Sequence, residues 1–260
     1  MMMTTTQQLM KDYRVCVVVP TYNNAATVGD VIRRIADITT DIVVVVDGCT
    51  DDTRERLAEL SDISLQVVDY PENRGKGHAL LAGFKHAINR GYEYAITIDS
   101  DGQHNPQDIT LFVEAMHRQP DALIVGARNL EAENMPGGNT FANRFSNFWF
   151  MVQTWRNLPD TQTGFRLYPL RLLSGMWLVT SRYEAELELL VLAAWSGEQI
   201  VSVPVHVYYP PQGERVSHFR PVADFARISL LNTVLCFLAV VYGWPRMLWH
   251  RITHSSSARE

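Results

Sequence analysis

A chain of 260 residues that is 47% hydrophobic and 20% charged buries one substantial core, so a single domain with a short appendage is expected. A formal net charge of −5 excludes a general nucleic-acid binder, which would carry a basic surface. Cys16, Cys49 and Cys236 form no CxxC pair and are odd in number, which reads as reduced thiols in a reducing compartment rather than a disulfide framework.

Residues 1–13 are polar and lack the basic-then-apolar pattern of a signal peptide, so they are expected to be flexible. Arg14 to Val19 is a β-rich run that stops at the polar turn Pro20-Thr21-Tyr22-Asn23-Asn24. From Thr27, a candidate N-cap, Val28, Val31, Ile32, Ile35 and Ile38 recur at helical spacing. Ile42 to Val46 is a second apolar run, ending at Asp47-Gly48-Cys49-Thr50-Asp51-Asp52. A helix over Thr53 to Leu60 and a strand over Leu65 to Asp69 follow. After Asn73-Arg74-Gly75-Lys76-Gly77-His78 comes an apolar helix, Ala79 to Ile88. Tyr94 to Ile98 reads as a buried strand, Gln107 to His117 as a helix opened by Pro106, and Ala122 to Val125 as a fifth strand.

Continuous apolar strands alternating with helices predict an α/β fold, a mostly parallel sheet buried on both faces. Polar clusters then recur at the carboxyl ends of successive strands, where open α/β sheets bind ligands. The central cluster is Asp99-Ser100-Asp101, followed by Gly102-Gln103-His104. Hard oxygen donors at this spacing suit Mg²⁺ or Mn²⁺ held partly by a substrate's phosphates; the alternative is a solvated Asp-rich turn.

Taken together, the PTYN turn, Val45 to Asp51, Asn73 to Gly77, Asp99 to His104, Gly126-Ala127-Arg128, Asn143-Arg144 and Asp160-Thr161-Gln162-Thr163-Gly164-Phe165-Arg166 resemble a family 2 glycosyltransferase. The likeness spans about Arg14 to Ser217 and is greatest to dolichyl- and polyprenyl-phosphate sugar transferases. It implies a GT-A fold over residues 14–217, a UDP- or GDP-sugar donor, Mg²⁺ or Mn²⁺, and inversion at the anomeric carbon. On the donor side it implies Pro20, Tyr22 and Asp47 at the nucleoside, Asp99, Asp101 and Gln103 at the metal and diphosphate, and Arg215 folded over the diphosphate. Lys76 either assists the phosphates or is an exposed turn lysine. Where the family often carries two adjacent acids after the second strand, this chain has Val46-Asp47.

On the acceptor side, Arg128 and Arg144 match positions that hold an acceptor phosphate, a task suited to guanidinium forks. A phosphate monoester needs no strong base, whereas a hydroxyl acceptor does. Asp160 is the first base candidate and Glu184 and Glu186 the next, with a solvated helix face as the alternative for the Glu184–Glu188 run. His104 reads either as a metal-adjacent group or as a turn histidine. Phe141, Phe145, Phe148, Trp149, Val152 and Trp155 recur at helical intervals and mark either a core helix or a groove for a lipid chain.

Ile228 to Tyr242 is nearly all apolar but too short to span a bilayer, and Trp244, Arg246, Trp249 and Arg251 behind it have the character of interfacial anchors. Residues 218–254 are therefore expected to form a helical appendage on the cytoplasmic face of a membrane, the alternative being a buried C-terminal helix or one joining two subunits, and 255–260 a disordered tail. The leading expectation is an enzyme that glycosylates polyprenyl phosphate. The alternatives are a glycolipid or other hydroxyl acceptor, or a non-catalytic nucleotide-binding scaffold of a glycan-assembly complex.

Overall fold

The computed structural model describes residues 5–129, 137–173, 176, 178–209 and 221–256. Seven strands form one sheet: β1 Val15–Thr21, β2 Ile42–Asp47, β3 Leu65–Tyr70, β4 Tyr94–Thr97, β5 Leu123–Arg128, β6 Arg166–Pro169 and β7 Ile200–Val205. Their order is β3-β2-β1-β4-β6-β5-β7, all parallel except β6, which runs antiparallel to both β4 and β5.

β1 and β2 are apolar up to their last residues, Thr21 and Asp47, because both faces are covered. Val15, Val17 and Val19 of β1 point into one core with Ile42, Val44 and Val46 of β2. That face is covered by α1 (Thr5–Asp12), α2 (Val28–Ala36), α3 (Thr53–Ala58) and α5 (Ile109–Arg118). Cys16 and Val18, with Val43 and Val45, point into the other. There α4 (Lys76–Asn89), α6 (Gly137–Thr154), α7 (Glu184–Trp195) and α8 (Pro221–Leu238) pack. The cysteines of the described chain are all free, with Cys16 and Cys49 buried.

Several expectations need correction. The N-terminal stretch is not loose throughout: α1 lays Leu9 and a buried Met10 on the first core. Thr27 precedes α2 without capping it through its side chain; its hydroxyl donates instead to the carbonyl of Ser100 at 2.6 Å. Pro106 does open a turn, a short 3-10 segment before α5, and there Asn105 is the cap, accepting from the Gln107 amide. β6 and β7 were not foreseen. RLYP is short and carries an arginine, and IVSVPV carries a proline, both of which disguise a strand. Proline is tolerated in β7 because that strand is the sheet edge.

The C-terminal helix is longer than its apolar run. α8 passes through a π-helical turn, Ala239–Gly243, into α9 (Trp244–Ser256). Pro245 lacks the amide donor and crowds the carbonyl four residues earlier, and the widened turn just upstream accommodates it. The stretch Ala226–Thr253 is long and apolar enough to cross a membrane, at mean hydropathy 1.7. One side of it is nonetheless docked: Leu231, Leu235, Ala239 and Met247 are buried, Gln153 donates to Asn232 at 2.9 Å, and Trp244 stacks on Trp155. Of the expected disordered tail, 255–260, the first two residues belong to α9 and 257–260 lie outside the described residues.

Candidate active site

The loops leaving β1, β2 and β4 are tied into one floor. Asn23 accepts from the Thr50 amide at 2.8 Å, and Asn24 Nδ2 donates to Ser100 Oγ at 2.8 Å. Ser100 in turn donates to the Pro20 carbonyl at 3.1 Å, so the polar clusters foreseen at separate strand ends form one crevice. Asp47 faces the neighbouring loop: its two carboxylate oxygens accept the amides of Arg74 and Gly75 at 2.8 and 2.9 Å. Asp47 thereby shapes the loop that opens α4. Gly48, at φ +63, permits this, since a Cβ there would stand 2.2 Å from the Asn73 amide.

Lys76, the first residue of α4, is not an exposed turn lysine. Its Nζ lies 2.7 Å from Asp99 and 3.0 Å from Glu186, bridging two acids on different elements. Burial opposes its charge, but the two carboxylates hold its pKa above the usual value. Burial likewise works against ionising Asp99, yet Lys76, His104 and Arg166 keep its carboxyl below the usual range. Asp101 has no ion pair among the described residues and feels Lys76 only as a weaker opposing charge. Burial and then the Asp99 charge push its carboxyl up to about 6. Gln103 contributes its amide, which donates to Asp101 at 3.0 Å. His104 is buried rather than on an open turn; burial lowers its pKa to about 4, and its Nδ1 has no hydrogen-bond partner.

The segment entering β6 delivers Gly164 to the same point. A Cβ on it would stand 2.5 Å from Lys76 Nζ and 2.6 Å from Asp99 Oδ2, while Thr97 fixes its carbonyl at 2.7 Å. Gly164→Ala must therefore push the Lys76–Asp99 pair aside. The expected outcome is about tenfold weaker nucleotide binding by titration calorimetry, with an unchanged melting temperature.

Asp160 is fully buried and spoken for. Arg128 clamps it with a two-pronged fork at 2.6 and 3.0 Å, Asn143 donates at 2.5 Å, and the amides of Arg128 and Gln162 complete five donors. Burial would raise this carboxyl, but the Arg128 hydrogen bond and charge hold it low. A carboxylate in that state has no lone pair left to take a proton, so the base expected at Asp160 is a counter-ion for Arg128 instead. Arg144, one residue past Asn143 on α6, is exposed; the residue that reaches Asp160 is Asn143.

Nor are the α7 acids a solvated face. Glu188 is buried and accepts three hydrogen bonds from Val179 and Thr180. Glu184 and Glu186 are buried too, with Glu184 Oε2 and Glu186 Oε1 lacking any donor. Arg166, absent from the expected site, lies fully buried behind it, donating to the carbonyls of Thr161, Thr163 and Glu186. Its signal in the sequence was the TQTGFR turn itself. Arg215 lies outside the described residues.

Among the described residues no three His, Cys, Asp or Glu side chains converge as a closed metal cage. Asp99 and Asp101 fit the open pattern of Mg²⁺ or Mn²⁺, in which one or two carboxylates are joined by substrate phosphates.

Comparison with known proteins gives the chain's family and fold. A UDP-N-acetylglucosamine–dolichyl-phosphate N-acetylglucosaminyltransferase of Methanococcus voltae is 28% identical over 221 residues, 77% of this chain and 88% of the relative. An undecaprenyl-phosphate mannosyltransferase of Micrococcus luteus is 28% identical over 204 residues, 74% of this chain and 82% of the relative. In fold, the chain is similar to Mycobacterium tuberculosis glucosyl-3-phosphoglycerate synthase solved with Mn²⁺, UDP and phosphoglyceric acid. The TM-score is 0.68 at 19% identity, covering 90% of this chain and 81% of that one. The family model for glycosyl transferase family 2 matches residues 16–174, and the chain belongs to that family, as an enzyme rather than a scaffold.

Proposed function

We propose that this glycosyltransferase moves a sugar, with inversion, from a UDP- or GDP-sugar to a polyprenyl phosphate at a membrane surface. The observation that carries the acceptor assignment is the state of Asp160. The residue best placed by sequence to act as a base is saturated by donors, and its role is to aim the Arg128 guanidinium. A site that spends its carboxylate on fixing an arginine is suited to an acceptor that arrives already anionic.

In this reading Pro20 and Tyr22 flank the nucleoside, and Asp99 and Asp101 lie under the diphosphate. A divalent cation held by Asp99 and Asp101 would supply charge neutralisation for the departing nucleoside diphosphate. Lys76 adds a second positive charge on the same side, and its tie to Glu186 carries the α7 acids to the crevice. Arg128 holds the acceptor phosphate, one of whose oxygens attacks the anomeric carbon as the bond to the diphosphate breaks. No proton has to be removed in that step. The relatives named for dolichyl- and undecaprenyl-phosphate support this acceptor class, and the synthase bound to Mn²⁺ and UDP supports the donor and metal.

A hydroxyl acceptor is the second reading, favoured by the donor-less oxygens of Glu184 and Glu186, either of which has lone pairs to spare for a proton. Titration with UDP and GDP, each with and without Mn²⁺, followed by transfer assays on paired lipids, separates these. Metal-dependent binding of one nucleotide and turnover on polyprenyl phosphate, with none on the free polyprenol, is expected. Turnover on the polyprenol would reverse the acceptor assignment, and no nucleotide binding would remove the donor site.

A further inference from the structure

A second polar cleft lies at the opposite end of the sheet. It encloses ≈ 700 Å³ and is lined by Arg156, Arg171, Glu198, His250 and Arg251, among others. Asp121, also on its wall, precedes β5, whereas Arg128 ends that strand, so roughly 20 Å of strand separates the cleft from the acceptor arginine.

The charges in this cleft do not cancel. Both acids are engaged by one base: Arg171 pairs with Asp121 at 3.0 Å and with Glu198 at 3.3 Å. Arg156 donates to the backbone carbonyl of Glu198, and neither it nor Arg251 has a carboxylate partner among the described residues. Burial and then the neighbouring Arg251 charge pull the Arg156 guanidinium below its usual pKa, the reverse of what a satisfied arginine shows. Three guanidiniums against two carboxylates leave the cleft one positive charge in excess, and Arg156 and Arg251, neither of them in an ion pair among the described residues, face it as a receptor for a singly charged anion.

The rim says what carries that anion. Arg251 sits 6.0 Å over the Trp155 ring, Trp155 stacks on Trp244, and Leu248, Trp249 and Ile252 of α9 are exposed beside them. From there an exposed apolar stripe runs back along the helix through Val241, Phe237 and Leu230. Polar guanidiniums bounded by tryptophans and continued by an apolar stripe match a phospholipid, headgroup in the cleft and acyl chains along the helix.

We infer that the Arg156–Arg251 cleft binds the phosphate of an anionic phospholipid, anchoring the enzyme at the end remote from its active site. This rests on the reading that the 226–253 helix meets a membrane, and the test separates the two. Sedimentation with phosphatidylcholine vesicles is compared with mixed phosphatidylcholine–phosphatidylglycerol vesicles. The protein should bind both and prefer the mixed ones. Arg156→Gln together with Arg251→Gln should abolish the preference, about fivefold for each arginine, with neutral-vesicle binding unchanged. Arg251→Gln alone, at an exposed position, covers the case in which the double variant does not fold and should lose about fivefold. Inorganic phosphate should displace little protein from mixed vesicles, because it lacks the acyl chains.

Equal binding to both vesicles, or a preference that survives the substitutions, overturns the cleft as a headgroup site while leaving membrane contact intact. Binding to neither vesicle overturns the membrane reading itself. Saturable binding of inorganic phosphate in the cleft, with no lipid preference, would make it a site for a soluble anion and also overturn the proposal.

Discussion

Asp101→Asn is expected to abolish sugar transfer, lowering kcat by roughly 10³-fold, while making the metal-free protein more stable. The two effects share one cause. Asp101 is ionised at neutral pH in a buried site beside Asp99, with its carboxyl raised to about 6 against 3.8 for the ordinary group. A raised carboxyl binds its proton more tightly in the folded than in the unfolded state. Its ionisation therefore costs stability above the folded pKa, and the cost fades as the pH falls through it. With partial exposure discounted, neutralising the residue should return about 1–2 kcal/mol near pH 7. Melting with a chelator present checks this, and the gain should shrink at about pH 5, where the wild-type carboxyl is mostly protonated. A variant that retained transfer would end the role given to the acid pair. One that lost both transfer and stability would make Asp101 a structural residue.

The second large effect is at Asp160. Asp160→Asn leaves the Arg128 guanidinium, only 16% exposed, without its counter-ion, and should destabilise the fold by about 3 kcal/mol. Acceptor KM should rise roughly 10²-fold as the fork loses its aim, and kcat should fall less. A base and a positioning residue give different signatures here. Were Asp160 the base, kcat would collapse and the acidic limb of the pH–rate profile would vanish. As a positioning residue, its loss leaves that limb in place and moves KM. Arg128→Lys supplies the complement: it keeps a cation on Asp160, recovers most of the stability, and still raises KM because an ammonium has no fork.

The parallel core was legible because a strand covered on both faces must be apolar throughout, as Ile42 to Val46 is. So was the converging site, since strand ends carrying DG and DSD turns can only meet at one rim. Ion-pair partners were not legible. Nothing local to Lys76 reveals Glu186, which comes from a helix more than a hundred residues later, and nothing local to Asp160 reveals that its oxygens are already taken. The same holds for Glu188, whose buried carboxylate looks in the sequence like part of a solvated stripe. β6 escaped notice because Arg166, fully buried, spends its hydrogen bonds on backbone carbonyls and finds its opposite charges in Glu186 and Asp160, none of which a local sequence pattern marks.

The reversed direction of β6 bears on how the molecule assembles. β4 and β5 never touch each other in the ladder; Ile96 and Ile124 both pair with Leu167 of the strand between them. A growing chain can therefore close β3-β2-β1-β4 as a four-stranded half-sheet from residues 15–97. β5 must then wait, unpaired, until some forty further residues have been made. During that interval the edge of β4, next to Asp99, is an open apolar ladder and the catalytic crevice has one wall. Inserting a single four-residue strand closes the edge, gives β5 its partner, and brings Gly164 against Asp99. The candidate site is thus complete only once a strand from the second half of the chain is in place.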